Sequence, residues 1–561
     1  MAPSPGIRSR RRSAGQLHAL AALQRELQAT DPNGRRKYLR DYVDAFRTYQ
    51  SVLSAADLGK RIQASDLVLV GDYHALPRCQ EYAAELIREV AESGRKVVLG
   101  VEFIFTRDQH ILDEWFAGEI EDDELRQRIR YDLDWGYEWA PFFGVLEAAR
   151  RFGAAVYGLD CPPRDDLRKI AARDRHAAAK IAEIREKHPD ALIVVLFGES
   201  HLAPGHLPEQ LLVRLPAAKT LTVLQNVDVL YWRATGERAD SVEAVRISDD
   251  VVCAFNATPL EKYESYRLCI ERWRQERRSP LDLEPTVYNL VDALARFLNI
   301  DAYASHNGTQ PRYLVDQLPE VRNVTSEEHL RRILARKHIC EPEQRETAAC
   351  IESHGCCYLP RANAVFVKEF QVAGGTEAAA RFVHAACSRW ADLPTDTVAP
   401  DEDELAERLF YRRVLQEALA YFGSRVLDPS RPAAREAELY ALYAQPRETI
   451  DESRWSYRDL MQMIDFLVLH RDWEANFRHY VQTPKLLREG MRLRGERYAF
   501  VSERLGHMLG SELYDAYVAG KLSKRYIRAL FFRKLAAAES ARKMYFDIVR
   551  RVRIPRKRAI S

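Results

Sequence analysis

The sequence predicts an α/β fold, a mainly parallel sheet flanked by helices, followed by a mostly α-helical C-terminal region. Three observations predict it. Five short runs, "DLVLVGD" (66–72), "KVVLGVEF" (96–103), "AAVYGLD" (154–160), "ALIVVLFGES" (191–200) and "KTLTVLQN" (219–226), are continuously apolar rather than alternating, as strands covered on both faces are. Between them lie stretches with helical spacing, such as the one in which Tyr82, Leu86 and Val90 precede a glycine stop at Gly94. Strand and helix in alternation imply βαβ units and hence a parallel sheet. Past about residue 256 the alternation yields to long helical patterns such as "PTVYNLVDALARFLNI" and "DEDELAERLFYRRVLQEALAYF", with one strand–turn–strand pattern at 355–370.

These patterns divide the chain into a basic flexible tail (1–34), an α/β domain (35–255), a mainly helical domain carrying the hairpin (256–400) and a helical C-terminal domain with a basic end (401–561). At 561 residues the chain exceeds what one core serves, and 47% hydrophobic with 30% charged residues marks it as globular. The near-neutral sum of 84 basic and 82 acidic residues hides an asymmetry: residues 521–558 hold fourteen Lys and Arg against Glu539 and Asp547. Nine scattered cysteines lack the spacing of a disulfide framework, and the first residues carry no apolar segment of the secretory kind. No run approaches the ~18 apolar residues of a membrane span. A cytoplasmic location is the expectation.

In a parallel sheet all strands end on one edge, and ligands bind in the crevice beyond it. Here the runs end in Gly71-Asp72-Tyr73-His74, Gly100-Val101-Glu102, Gly158-Leu159-Asp160 and Gly198-Glu199-Ser200-His201. One G-x-x-H is a weak signal, because a histidine at a strand end commonly caps a helix or sits satisfied in a core. Acid or histidine at four successive strand ends is a stronger one. Two imidazoles and a carboxylate, His74, Glu102 and His201, then suit three chemistries. They can hold a divalent metal with an open position, act as general base toward water, or ligate a larger iron cofactor. Asp72, Asp160 and Glu199 are the expected orienting groups.

The succession "DLVLVGDYHALPRCQEYAAELI", "VVLGVEFIFTRDQHILDEWFAGEIEDDELRQRI", "DWGYEWAPFFGVLEAARRFGAAVYGLDCPPRDDL" and "VVLFGESHLAPGHLP" resembles the ChaN-like haem-binding family, over about residues 45–230. That family shares a superfamily with the Tiki/TraB and erythromycin-esterase-like proteins. The resemblance implies an α/β domain whose cleft is built from His74, Glu102 and His201, with haem as the ligand and, in some members, a homodimer. The Tiki branch implies metal-dependent peptidases with the same three residues as ligands, and the esterase-like branch implies histidine-centred hydrolysis. Asp72 stands where the family pattern G-E-x-H has glutamate, and Tyr73, Tyr131 and Tyr137 are the candidates for a haem-ligating tyrosine. A non-catalytic scaffold is the remaining alternative.

Four further features carry two readings each. Cys161-Pro162 offers a thiolate ligand or merely ends a strand, and Arg164 offers a partner for a ligand carboxylate such as a haem propionate or for Asp165. The aromatic stretch 131–143 is core with one or two pocket contacts. His338, Cys340, Cys350, His354, Cys356 and Cys357 have zinc-site composition without its spacing, so free thiols beside a hairpin are expected. The basic C-terminal segment, interleaved with Tyr526, Phe531, Phe532, Tyr545 and Phe546, suits an anionic partner or an amphipathic helix docked by its aromatic face.

Overall fold

The computed structural model describes residues 5–30, 42–162, 170–237, 242–274, 281–302, 314–389, 402–445, 447, 455–476, 485–493, 495–533 and 538–553. It divides into two compact units, one of Leu23–Leu281 and one of Met1–Ala22 with Asp282–Ser561.

The Leu23–Leu281 unit holds one sheet of strands β1 (Ser51–Leu53), β2 (Leu67–Asp72), β3 (Val97–Phe105), β4 (Ala155–Asp160), β5 (Leu192–Gly198), β6 (Thr220–Gln225), β7 (Ala244–Arg246) and β8 (Val251–Ala254). Their spatial order is β1-β7-β8-β6-β2-β5-β3-β4. The pairs β8/β6, β6/β2, β2/β5, β5/β3 and β3/β4 are parallel, while β7 runs antiparallel to both β1 and β8. The mainly parallel sheet is thus as the sequence predicts, and the five expected runs are β2 to β6. The strands β1, β7 and β8, of three, three and four residues, are too short to be read from sequence.

The two sheet faces explain the continuous apolar runs. Val68, Val70, Leu99, Val101, Val194 and Leu196 pack with Leu86, Ile87, Val145 and Leu146 of helices α1 (Pro77–Glu92) and α2 (Trp139–Arg151). The alternate residues Leu67, Leu69, Val98, Ile193, Val195 and Phe197 pack with Ala177, Ala178 and Ile181 of α3 (Ile170–Lys187) and with Leu207 and Leu211 of α4 (Leu207–Arg214). Helices on both faces are what a parallel sheet requires. One further helix, α5 (Pro259–Arg274), groups with this unit rather than with the later helices of the chain.

The other unit is mainly helical. Its small sheet joins β10 (Cys356–Leu359) antiparallel to β11 (Ala364–Val367), the hairpin expected at 355–370, and β11 parallel to β9 (Glu320–Asn323). Among its helices are α6 (Val372–Arg389), α7 (Glu402–Leu427), α8 (Gly495–Val518) and α9 (Ala538–Val552). In the basic C-terminal segment Phe531, Met544, Tyr545 and Phe546 are buried, so its aromatic side faces inward. Where a tail is expected at the N-terminus, Pro5–Thr30 is helical, because Leu20, Leu23 and Leu27 recur at helical spacing and are buried. Among the described residues no helix is long and apolar enough to cross a membrane.

Candidate functional site

The carboxyl ends of β2, β3 and β5 bring His74, Glu102 and His201 together. Glu102 is the first residue of β3 beyond its ladder with β5, which ends at the pair Val101–Leu196. It also falls where the register with β4 slips between Val101 and Phe105. Such an irregularity re-aims a side chain without ending the strand. Gly198, the last residue of β5, makes room for the result. A Cβ there would lie 3.1 Å from Glu102 Oε2 and 3.2 Å from His74 Nε2.

Each histidine is backed by an aspartate. His74 Nδ1 lies 2.7 Å from Asp72 Oδ2, and Gln80 of α1 donates to the other oxygen of Asp72. His201 Nδ1 lies 2.5 Å from Asp174 Oδ1, whose Oδ2 takes His206 Nδ1 at 2.9 Å. An ionised carboxylate only accepts, so each Nδ1 carries the hydrogen and each Nε2 is the working atom. Both Nε2 atoms face Glu102: His74 is 3.9 Å from Oε2 and His201 is 3.7 Å from Oε1, beyond hydrogen-bond reach. Glu102 is held instead by Arg173 Nη2, 2.6 Å from Oε1, and by the Gly198 N–H, 2.5 Å from Oε2. Arg173 is braced in turn by Asp160, with Nε to Oδ1 at 2.8 Å and Nη2 to Oδ2 at 2.9 Å.

This wiring sets the electrostatics. Burial alone would push the Glu102 carboxyl up, but His201, His74 and Arg173 outweigh it and bring its pKa to about 2. Burial likewise disfavours the His74 imidazolium, yet Asp72 and then Glu102 outweigh it and hold His74 above 6.5. Asp174 stays below its usual range because hydrogen bonds from His201 and His206 overcome its burial. The cluster is an ionised carboxylate between two carboxylate-backed imidazoles.

The remaining residues expected at the site take other partners. Asp160 contacts Arg173 rather than either histidine. Glu199 turns to α5, where Lys262 Nζ lies 3.2 Å from each of its oxygens, and Lys262 also stands 4.5 Å over the Tyr73 ring. Burial works against the Lys262 ammonium, but Glu199 outweighs it and keeps the charge. Tyr131 is core, its hydroxyl donating to Glu138 O at 3.2 Å, whereas Trp135 and Tyr137 pack on the His74 ring at centroid distances of 4.5 and 5.1 Å. Arg164 lies outside the described residues. In the other unit His338 and Cys340 are exposed, apart from the buried Cys356 and Cys357. Among the described residues the group close enough for a metal is Glu377, Glu417 and His507, not the Cys/His cluster.

Sequence reasoning missed Arg173, Asp174, His206 and Lys262. The first two had a usable signal. In "IAARDRHAAAKI" they fall in register with Ile170, Ala177, Ala178 and Ile181, so an Arg-Asp pair occupies the apolar face of α3. A buried ion pair demands partners, and the partners are Glu102 and His201.

Neither implied cofactor fits these donors well. A divalent metal needs Glu102 as a ligand, but both its oxygens already accept hydrogen bonds and one touches a guanidinium. Haem iron needs an outward imidazole or a phenolate. Both Nε2 atoms face inward toward Glu102. Burial raises the Tyr73 and Tyr137 phenols above their ordinary value.

Residues 58–174 match the family model described as haem-binding uptake, Tiki superfamily, ChaN, a span that runs from before the first G-x-x-H through Arg173 and Asp174. Two solved structures are similar to part of the chain. One, of the type III effector HopBA1, is 14% identical with a TM-score of 0.29, covering 38% of this chain and 98% of that one. The other, of cofacial haem binding to ChaN of Campylobacter jejuni, is 13% identical with a TM-score of 0.25, covering 36% and 91%. No curated protein matches the sequence.

Proposed function

We propose that the ChaN-like domain of this chain is an acid–base site of the hydrolase type, acting on an ester or amide bond. One observation carries the reading: two Asp-backed imidazoles direct Nε2 toward one ionised carboxylate across gaps of 3.9 and 3.7 Å. Those gaps, with the absent Cβ of Gly198 beside them, suit a water or a reacting atom rather than a direct bond. In this reading His74, the more accessible ring, takes a proton through Nε2 as water oxygen adds to the acyl carbon. The imidazolium so formed gives that proton to the departing oxygen or nitrogen, while the bare Nε2 of His201 accepts a hydrogen bond from the attacking water. Glu102 stabilises the imidazolium that forms, and Asp72 and Asp174 fix both rings in the tautomer that leaves Nε2 available. Arg173, pinned by Asp160, holds Glu102 ionised.

Haem binding is the second reading, favoured by the description of the family that residues 58–174 match. It requires one imidazole to swing away from Glu102 and present Nε2 outward. A panel of esters and amides offered to the full chain, alongside hemin titration, separates the two. Acid–base chemistry predicts turnover lost in His74→Ala and Glu102→Gln and no Soret shift that depends on His74. A Soret shift abolished by His74→Ala, without turnover of any substrate, would establish haem binding instead.

A further inference from the structure

The family match ends at residue 174, yet the wall of the strand-end site continues into α5, far later in the chain. Lys262 of that helix holds Glu199, and Tyr266, one turn on, meets the Tyr73 ring at 6.2 Å. Trp273 comes next, 6.5 Å from Tyr266 and 5.4 Å from Tyr137, and its indole N–H donates to Gly136 O at 2.8 Å. Tyr137 closes the circuit on the His74 ring. A collar of aromatic rings thus runs around the histidine from segment 131–143 to α5.

Beside this collar, and sharing Tyr137 with it, opens a cavity of about 370 Å³, within the range that takes a small ligand, lined by Tyr137, Trp139, Ala140, Arg126, Cys269 and Arg272. Its walls are flat. The Arg126 guanidinium lies 6.0 Å from the Trp139 ring, and a planar cation of this kind stacks on π faces. Neither guanidinium is spare: Arg126 pairs with Asp132 at 2.8 Å and Arg272 with Glu138 at 2.7 Å. A carboxylate or phosphate therefore gains little here, while a neutral planar ring finds aromatic edges, paired guanidinium planes and a thiol.

We propose that this cavity binds the planar aromatic portion of the ligand on which the His74–Glu102–His201 site acts, and that α5 is the element that sets this preference. Chemical action on that ligand rests on the acid–base reading, but binding tests the cavity separately. Full-length protein is titrated with benzamide and with acetamide, and the turnover of phenyl acetate is compared with that of ethyl acetate. Benzamide should bind at one site per chain and acetamide should not. Ala140→Trp fills the cavity from an exposed position, so it should weaken benzamide about tenfold, as should Cys269→Phe from the buried side. His74→Ala should leave benzamide affinity within about twofold. Benzamide that binds no better than acetamide, or that is indifferent to Ala140→Trp, would overturn the aromatic cavity, whatever the esters do. Benzamide bound as expected with neither ester turned over would keep the cavity and remove the acid–base reading.

Discussion

Two buried clusters in this chain use the same side chains to opposite ends. In the α/β unit Glu102 meets one guanidinium and one backbone N–H, and two imidazole Nε2 atoms stop 3.7 and 3.9 Å short of it. In the helical unit Glu377 of α6, Glu417 of α7 and His507 of α8 offer ligand atoms within 4.8 Å of one another. There, however, Arg381 reaches Glu377 at 2.6 Å and Glu417 at 2.5 Å, Arg413 reaches Glu417 at 2.7 Å, and Arg431 reaches Glu377 at 2.7 Å. Three guanidiniums on two carboxylates leave no negative charge for a cation to collect. The carboxylates are spent on tying three helices together. Composition and burial do not separate a reactive cluster from a structural one; what separates these two is how fully guanidiniums already neutralise the carboxylates.

The sharpest way to break this contrast is to remove the imidazole. His74→Ala should lower turnover by about 10²–10⁴-fold, the usual worth of a general base, in a chain that stays folded at the alkaline side of the profile, where the His74–Asp72 ion pair contributes least. Loss of both fold and turnover would place His74 with the structural residues. The mirror experiment is Glu417→Gln. It should cost about 3–5 kcal/mol of stability, as removal of one partner from a buried ion pair does, while the folded fraction keeps its turnover. Denaturant unfolding with parallel activity assays reads both quantities.

A smaller effect appears in the pH dependence of turnover. His74 must be neutral to accept a proton, and its pKa is raised above 6.5, so the acid limb of the profile should have its midpoint above that value. Asp72→Asn removes the largest favourable charge and should move the limb downward. The same shift carries a stability contribution that is full below pH 6.5 and fades as pH climbs through the raised value. Glu102 has the opposite sign: its support exists above pH 4.5 and is lost as pH falls toward about 2.

The helical unit supplies the smallest effect, on the alkaline side. His354 lies 3.5 Å from Glu503, and despite burial its polar contact with that carboxylate, followed by the charge of Glu377, holds it at about 9. Its contribution should be complete below pH 6.5 and decline as pH rises through about 9. His354→Gln should flatten that alkaline decline in thermal melts and leave the turnover profile untouched.

The strand-end residues were legible because a parallel sheet turns linear order into a shared edge. Once "LVLVGDYH" and "VVLFGESH" are recognised as buried strands, His74 and His201 have one rim to arrive at. Arg173 and Asp174 were hidden for the converse reason. They lie in mid-helix, where charge normally faces solvent, and only their register with Ile170, Ala177 and Ile181 betrays them. The tight network at Glu377 and Glu417 was unreadable because its members come from three helices whose packing no local pattern encodes. Glu199, expected at its strand end as an orienting group, faces Lys262, a residue 63 positions on that no local pattern links to it.

The wiring of the two imidazoles is the centre of the account, and nitrogen-15 NMR of the histidine side chains measures it directly. At a pH where both rings are neutral, His74 and His201 should each carry the hydrogen on Nδ1, with Nε2 bare toward Glu102. An Nε2–H on either ring would contradict the account, since that ring then donates where the proposed chemistry requires it to accept.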